Sequence, residues 1–220
     1  MFKVFSFFYV IGLVTAFSSC QPPVQQEEAE KVLPFYTSAD FTPQWISTND
    51  PGYTKIHTIP DFQFTDQQGK KITEKTLAGK IYVAGFFFTA CPGICKRLTN
   101  HLALVQKAYL ADDDVRILSH SVTPDADSVA RLQQYAADYG VVNEKWFLLT
   151  GNRDSIYTLA RKAYFADEDM GTQKNSSDFL HTENLLLIDR HRRIRGVYKG
   201  TSLKDVNDLI ADIRLLKQEE

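Results

Sequence analysis

The sequence carries little excess charge, 25 lysines and arginines against 27 aspartates and glutamates for a formal net charge of −2. Without a basic surplus there is no electrostatic footprint for nucleic acid, and a partner must be met by shape and local chemistry. Long apolar runs are equally scarce. The one near the start, Val4 to Phe17, follows Lys3 and ends in small residues; it is too short for a comfortable membrane span and has the pattern of a secretory signal. Cysteine is rare, at three in 220 residues, and no proline follows Pro124. Internal repeats and low-complexity tracts are absent.

The first cysteine, Cys20, follows Ser18 and Ser19 and opens the polar stretch QPPVQQEEAEK. This resembles the lipobox of bacterial lipoproteins, in which the cysteine is lipidated and becomes the mature N-terminus, with Phe17 standing where leucine is usual. Residues 1–19 then read as a lipoprotein signal peptide, and the chain as an exported, membrane-anchored lipoprotein facing the periplasm. Residues 20–58 read as a tether and N-terminal extension, Gln- and Glu-rich at first and then interrupted by Pro34, Pro43 and Pro51. Its aromatics Phe35, Tyr36, Phe41 and Trp45 place its second half against the domain that follows, residues 59–217.

Within that domain DFQFTDQQGKKIT predicts a hairpin with Phe62 and Phe64 on one face, and IYVAGFFF a strand buried on both faces. Leu98, Leu102, Val105 and Tyr109 recur at helical spacing, so a helix is expected from about Pro92. VRILSHSVT and KWFLLTG read as strands. Between them SVARLQQYAADYG reads as a helix with Val129, Leu132, Ala136 and Tyr139 inward and Gly140 ending it. DSIYTLARKAYF is a further helix, ADEDMGTQKNSSDF a polar loop, and TENLLLIDRHRRIRGVYKG a hairpin closed by RHRR. Ser202 and Asp205 cap a last helix carrying Val206, Leu209, Ile213 and Leu216. This order predicts an α/β protein with a mixed central sheet, an N-terminal hairpin extension and flanking helices. With two cysteines at the end of the first central strand, it looks like a thioredoxin fold.

Those cysteines, Cys91 and Cys95, form the one pair left for thiol chemistry once Cys20 is acylated, and an exported protein meets oxidising conditions. A disulfide between them would close a loop worth only about 2 kcal/mol, little help to a domain with its own core. Reactivity is the better reading. A helix N-terminus with Lys96 and Arg97 nearby favours thiolate, and positions i and i+4 bring both sulfurs toward one point. Such a pair either exchanges disulfides or binds a soft metal, and a metal needs a third ligand from elsewhere. His57, His101, His191 and His120, the last in a strand read as half-buried, are expected to be surface or satisfied core residues. His181 differs, because it follows the polar loop that in thioredoxin-like folds lies opposite the cysteines and normally carries a cis-proline.

The segments FFFTACPGIC, SVTPDADS, GNRDSIYTLARKAYF and FLHTENLLLIDRHRRIRGVYKG together resemble the SCO (SenC) family of copper-binding, thioredoxin-fold proteins required for cytochrome c oxidase assembly. The resemblance spans roughly Ile59 to Leu216. It implies that Cys91, Cys95 and His181 are copper ligands and that Asp127 matches an acidic residue assisting binding or docking, whose plain alternative is a helix N-terminal acid beside Ser128. Two thiolates and an imidazole suit Cu(I), and with an added oxygen donor Cu(II), whereas structural zinc would want a fourth ligand. The function implied is extracytoplasmic delivery of copper to cytochrome c oxidase subunit II or a copper-relay protein. The alternative is a membrane-tethered thiol-disulfide oxidoreductase in which Cys91 and Cys95 reduce the cysteines of the acceptor's copper site. Lys96 departs from the family pattern, standing where proline is frequent, as do Gly93, where a polar residue is common, and Thr123, where aspartate is usual. A peroxiredoxin reading fails because Thr89 is one residue too near the cysteine and Ala84 occupies the proline position.

Overall fold

After a single 3-10 turn at Tyr53–Lys55, the first strands form the hairpin of β1 (Gln63–Thr65) and β2 (Lys71–Thr73), turned at Gly69, whose φ of 77° favours glycine. In the computed structural model, which describes residues 32–166, 180 and 182–219, four helices and a five-stranded sheet follow. The order is β3 (Ile81–Phe87), α1 (Ile94–Ala108), β4 (Val115–Ser121), α2 (Val129–Asp138), β5 (Trp146–Leu149), α3 (Arg153–Lys162), β6 (Asn184–Ile188), β7 (Ile194–Lys199) and α4 (Leu203–Glu219). Cys20 and His181, with the signal segment and most of the polar loop before His181, lie outside the described residues.

The sheet order is β5-β4-β3-β6-β7, with β3, β4 and β5 parallel and β6 and β7 antiparallel, the mixed sheet that the element order predicts. All seven residues of β3 are buried, because helices or the hairpin cover both faces. Ile81, Val83 and Phe87 pack with Leu98, Leu102, Leu132 and Leu209 on one side. Tyr82, Ala84 and Phe86 pack with Phe64, Ile156 and Ala160 on the other. The apolar positions anticipated on the last helix, Val206, Leu209, Ile213 and Leu216, are all fully buried, and Ser202 donates to Asp205 at 2.7 Å. On α2 the buried positions are Leu132, Tyr135 and Ala136, while Tyr139 stays half-buried, so the inward stripe is shifted slightly from the one expected.

His120 departs from expectation. It is fully buried, with its ring among Phe62, Phe64, Phe86 and Tyr164 at centroid distances of 6.3, 5.5, 5.3 and 5.6 Å. Neither ring nitrogen has a hydrogen-bond partner among the described residues. The hairpin supplies two of the covering rings, so the strand is closed on the side where alternation alone would leave it open.

The RHRR turn has a specific task. Asp189, fully buried, accepts from Arg193 Nε at 2.6 Å and lies 3.7 Å from Arg195. Arg195 donates to the carbonyls of Leu33 and Pro34, and both guanidinium groups cover Phe35. Leu33 and Phe35 are buried as expected of an extension packed on the domain, and Tyr36 bridges to Ile194. Trp45 is the exception at 67% exposed, its Nε1 donating to the Val32 carbonyl. Asp189→Ala leaves the buried Arg193 guanidinium without its carboxylate, while Arg195 keeps that of Glu219, and is expected to destabilise the fold by about 3 kcal/mol, measured as a lowered urea midpoint. An unchanged midpoint would show that the clasp contributes nothing to stability.

Candidate metal centre

β3 delivers its chain directly into the loop that carries the first cysteine. Phe87 pairs with Ser121 across β3 and β4, and the Cys91 amide donates to the Phe88 carbonyl at 3.3 Å. The helix begins at Ile94 rather than near Pro92, with Gly93 in the cap position and no side-chain cap. Cys91 therefore precedes the first turn instead of sharing a helical face with Cys95. Its sulfur takes the capping role, accepting from the backbone N–H groups of Cys95, Gly93 and Ile94 that a helix start leaves unpaired.

Both thiols are buried, 8% exposed at Cys91 and 6% at Cys95, unbridged and hydrogen-bonded to each other. Their environments push them apart. Burial acts to raise the Cys91 thiol, but the hydrogen bonds from the Cys95 side chain and the helix-start amides outweigh it, and its pKa falls below the ordinary value. Burial also raises Cys95, and donating to Cys91 raises it further, so it is pushed up to about 12. One thiol is prepared to ionise and its neighbour holds the proton.

The two thiols also face different surroundings. Cys91 lines an open depression of about 600 Å³ together with Thr89, Lys96, Arg131, Tyr135 and Tyr139. Cys95 lines a narrow crevice with Phe88, Ile94, Val122, Leu180 and Thr182. Leu180 and Thr182 are the residues on either side of His181, and both are buried. Gly200 helps to fix this approach: its amide donates to the Glu183 carbonyl at 2.8 Å, and a Cβ there would collide with Leu98 of α1. His101 on the same helix lies with Nδ1 2.7 Å from the Gly200 carbonyl, a satisfied histidine. Among the described residues no group of three His, Cys, Asp or Glu side chains forms a metal cluster.

Asp127 is 1% exposed and sits beneath the cysteine loop. Its carboxylate accepts from the Thr89 hydroxyl at 2.6 Å, the Thr89 amide at 3.3 Å, the Ser121 hydroxyl at 2.5 Å and the Thr123 hydroxyl at 3.0 Å. It ties the segment two residues before Cys91 to the end of β4. Thr89, Ser121 and Thr123 were not singled out from sequence as site residues; three hydroxyl residues near one acid are a weak signal until the parallel pairing of β3 and β4 brings them together. A larger cavity, about 810 Å³, lies elsewhere between β1 and α3 near His57 and Lys162, and no thiol lines it.

The SCO1/SenC family model matches residues 51–218. Among solved structures, a SCO1/SenC family lipoprotein from Bacillus anthracis is 29% identical with a TM-score of 0.63, the match covering 73% of this chain and 95% of that one. BsSco, described as a member of the Sco family of cytochrome c oxidase assembly proteins with a disulfide switch, is 28% identical with a TM-score of 0.63, covering 74% of this chain and 95% of that one. Arabidopsis thaliana ScoI, solved with copper bound, is 27% identical with a TM-score of 0.56, covering 72% of this chain and 98% of that one. A family match over most of the length, a thioredoxin-like sheet and a thiol pair where the first central strand meets its helix agree: this chain belongs to the SCO1/SenC family.

Proposed function

We propose that the protein captures copper through Cys91, Cys95 and His181 and serves cytochrome c oxidase assembly by passing it to subunit II or to a relay protein. The observation that carries this reading is the crevice in which Cys95 meets Leu180 and Thr182, the two neighbours of His181 in the chain. Two thiolates and an imidazole favour Cu(I) and leave a coordination position through which a partner's ligand can enter. Binding displaces the protons held by the thiols, so copper affinity rises with pH until both are ionised. The test is a titration of the reduced chain with Cu(I) against a competing chelator. Wild type is expected to bind one equivalent, Cys91→Ser to lose it, and His181→Ala to weaken it by about 10-fold or more. If His181→Ala binds copper as tightly as wild type, the three-ligand reading is wrong.

The unequal thiols favour a second activity, thiol-disulfide exchange with the acceptor's cysteines. Cys91, lowered and facing the open depression, attacks; Cys95, raised and enclosed, resolves. Brief alkylation at pH 7 is expected to modify Cys91 well before Cys95, read by peptide mass mapping; equal labelling would remove this asymmetry. Electron exchange needs only the two cysteines, so His181→Ala is expected to keep it.

The proposed anchor is a lipid on Cys20. Among the described residues no helix is long and apolar enough to cross a membrane. Mass mapping of the mature N-terminus is expected to find Cys20 acylated in the membrane fraction, and an unmodified Cys20 there would refute lipidation as the attachment.

A further inference from the structure

Lys96 departs from the family pattern, and with Arg131 it lines the depression on the Cys91 side. α2 forms one wall of that depression, with Arg131, Tyr135 and Asp138 following one another at helical spacing and Tyr139 against Tyr135 at 4.5 Å. At 1.5 Å per residue, Arg131 and Asp138 lie about 10 Å apart along the helix, the length of about three extended residues.

The two ends of this groove differ in charge. At the far end the Asp138 carboxylate accepts from Gln134 at 2.7 Å. At the near end Arg131 donates through Nε to the Thr89 hydroxyl at 3.0 Å, and that hydroxyl donates to Asp127. The guanidinium is thus fixed beside the cysteine loop. Among the described residues no carboxylate pairs with Arg131 or with the exposed Lys96. Two cations that no carboxylate pairs among the described residues thus stand beside Cys91, the sulfur that lines the open depression.

We propose that this depression is a docking groove for an extended polypeptide segment bearing an acidic side chain next to its reactive sulfur. The partner's sulfur meets Cys91, its carboxylate lies between Lys96 and Arg131, and the Tyr135 and Tyr139 rings support the following residues. The proposal rests on the reading of Cys91 as the group that meets a partner's sulfur, and adds which partner is selected.

The chemistry provides a direct assay with short peptide disulfides. The Cys91 thiolate attacks one sulfur, the peptide disulfide breaks, and one peptide leaves as a thiolate that takes a proton from water. Cys95 then loses its proton and attacks the Cys91 sulfur, closing the Cys91 to Cys95 disulfide and releasing the second peptide thiol. Two electrons pass from the protein dithiol to the peptide disulfide, and two peptide thiols result.

Three peptide disulfides with Glu, Gln or Lys next to the cysteine are offered to the reduced full chain, and oxidation is followed by release of peptide thiol. At low ionic strength the Glu peptide is expected to react roughly tenfold faster than the Lys peptide, with Gln between them. The gap shrinks in about 0.5 M salt, and Lys96→Glu, checked for an unaltered unfolding midpoint, reverses the order. Because each rate is compared with that of the neutral peptide, a change in the intrinsic reactivity of Cys91 cancels. Equal rates for the three peptides in wild type, an unaltered order in Lys96→Glu, or no reaction with any peptide would each overturn the groove. Copper titration of the same preparations separates the two readings: lost copper binding with the charge preference intact refutes delivery alone, and intact copper binding with no charge preference refutes the groove alone.

Discussion

Acidification is expected to weaken this fold steeply through His120. Burial lowers its pKa from 6.5 to about 3 in the folded chain, with no counter-charge or hydrogen bond among the described residues to offset it. The unfolded chain takes up the proton below pH 6.5 while the folded chain does not until about 3, so stability is whole above 6.5 and falls as the pH drops through that interval. The slope is about 1.4 kcal/mol per pH unit, a total of roughly 4 to 5 kcal/mol over the full interval. Urea midpoints measured across this range check it. His120→Phe replaces one ring by another of similar size among Phe62, Phe64 and Phe86, removes two unpaired polar atoms, and is expected to flatten the acid limb. An acid limb as steep in His120→Phe as in wild type would place the sensitivity elsewhere.

The second large effect is expected at Asp127. Asp127→Ala leaves the Thr89 amide and the hydroxyls of Thr89, Ser121 and Thr123 without their common acceptor, a loss of about 3 kcal/mol or more. Asp127→Asn keeps the volume and one acceptor oxygen and is expected to fall between Ala and wild type. Copper titration of the Asn variant separates a strut from a ligand. A strut leaves one equivalent bound by the folded protein, whereas an accessory ligand lowers affinity without an accompanying change in stability. An Ala variant as stable as wild type would deny Asp127 its part in holding the loop.

Much of this architecture is legible in the sequence because it is local. A run of seven apolar residues in β3 already marks a strand covered on both faces, and the spacing of Leu98, Leu102 and Val105 marks the covered stripe of α1. The thiol pair is legible for the same reason, two cysteines where a central strand ends. What escapes depends on contacts between distant segments. His120 reads as half-buried because alternation within β4 says nothing of a hairpin more than fifty residues earlier that closes over it. Asp127 reads as a helix-start acid because Ser128 is its neighbour in sequence, while its hydrogen bond to Thr89 exists only through the parallel register of Phe87 with Ser121. A proline preference puts the start of α1 near Pro92, whereas Gly93 and the Cys91 sulfur shape that turn and the helix opens at Ile94.

The clasp of Asp189, Arg193 and Arg195 also sets where on the sheet the N-terminal extension is held. β3 runs from Tyr82, which pairs with Ile188 beside the clasp, to Phe87, which opens the cysteine loop, a rise of about 17 Å at 3.3 to 3.4 Å per residue. The extension is therefore gripped at one pole of the sheet while the thiols stand at the other. A load applied through the extension is borne by the buried arginines, a strand's length away from the cysteine loop, so the thiol pair can be strained or rearranged without loosening that grip.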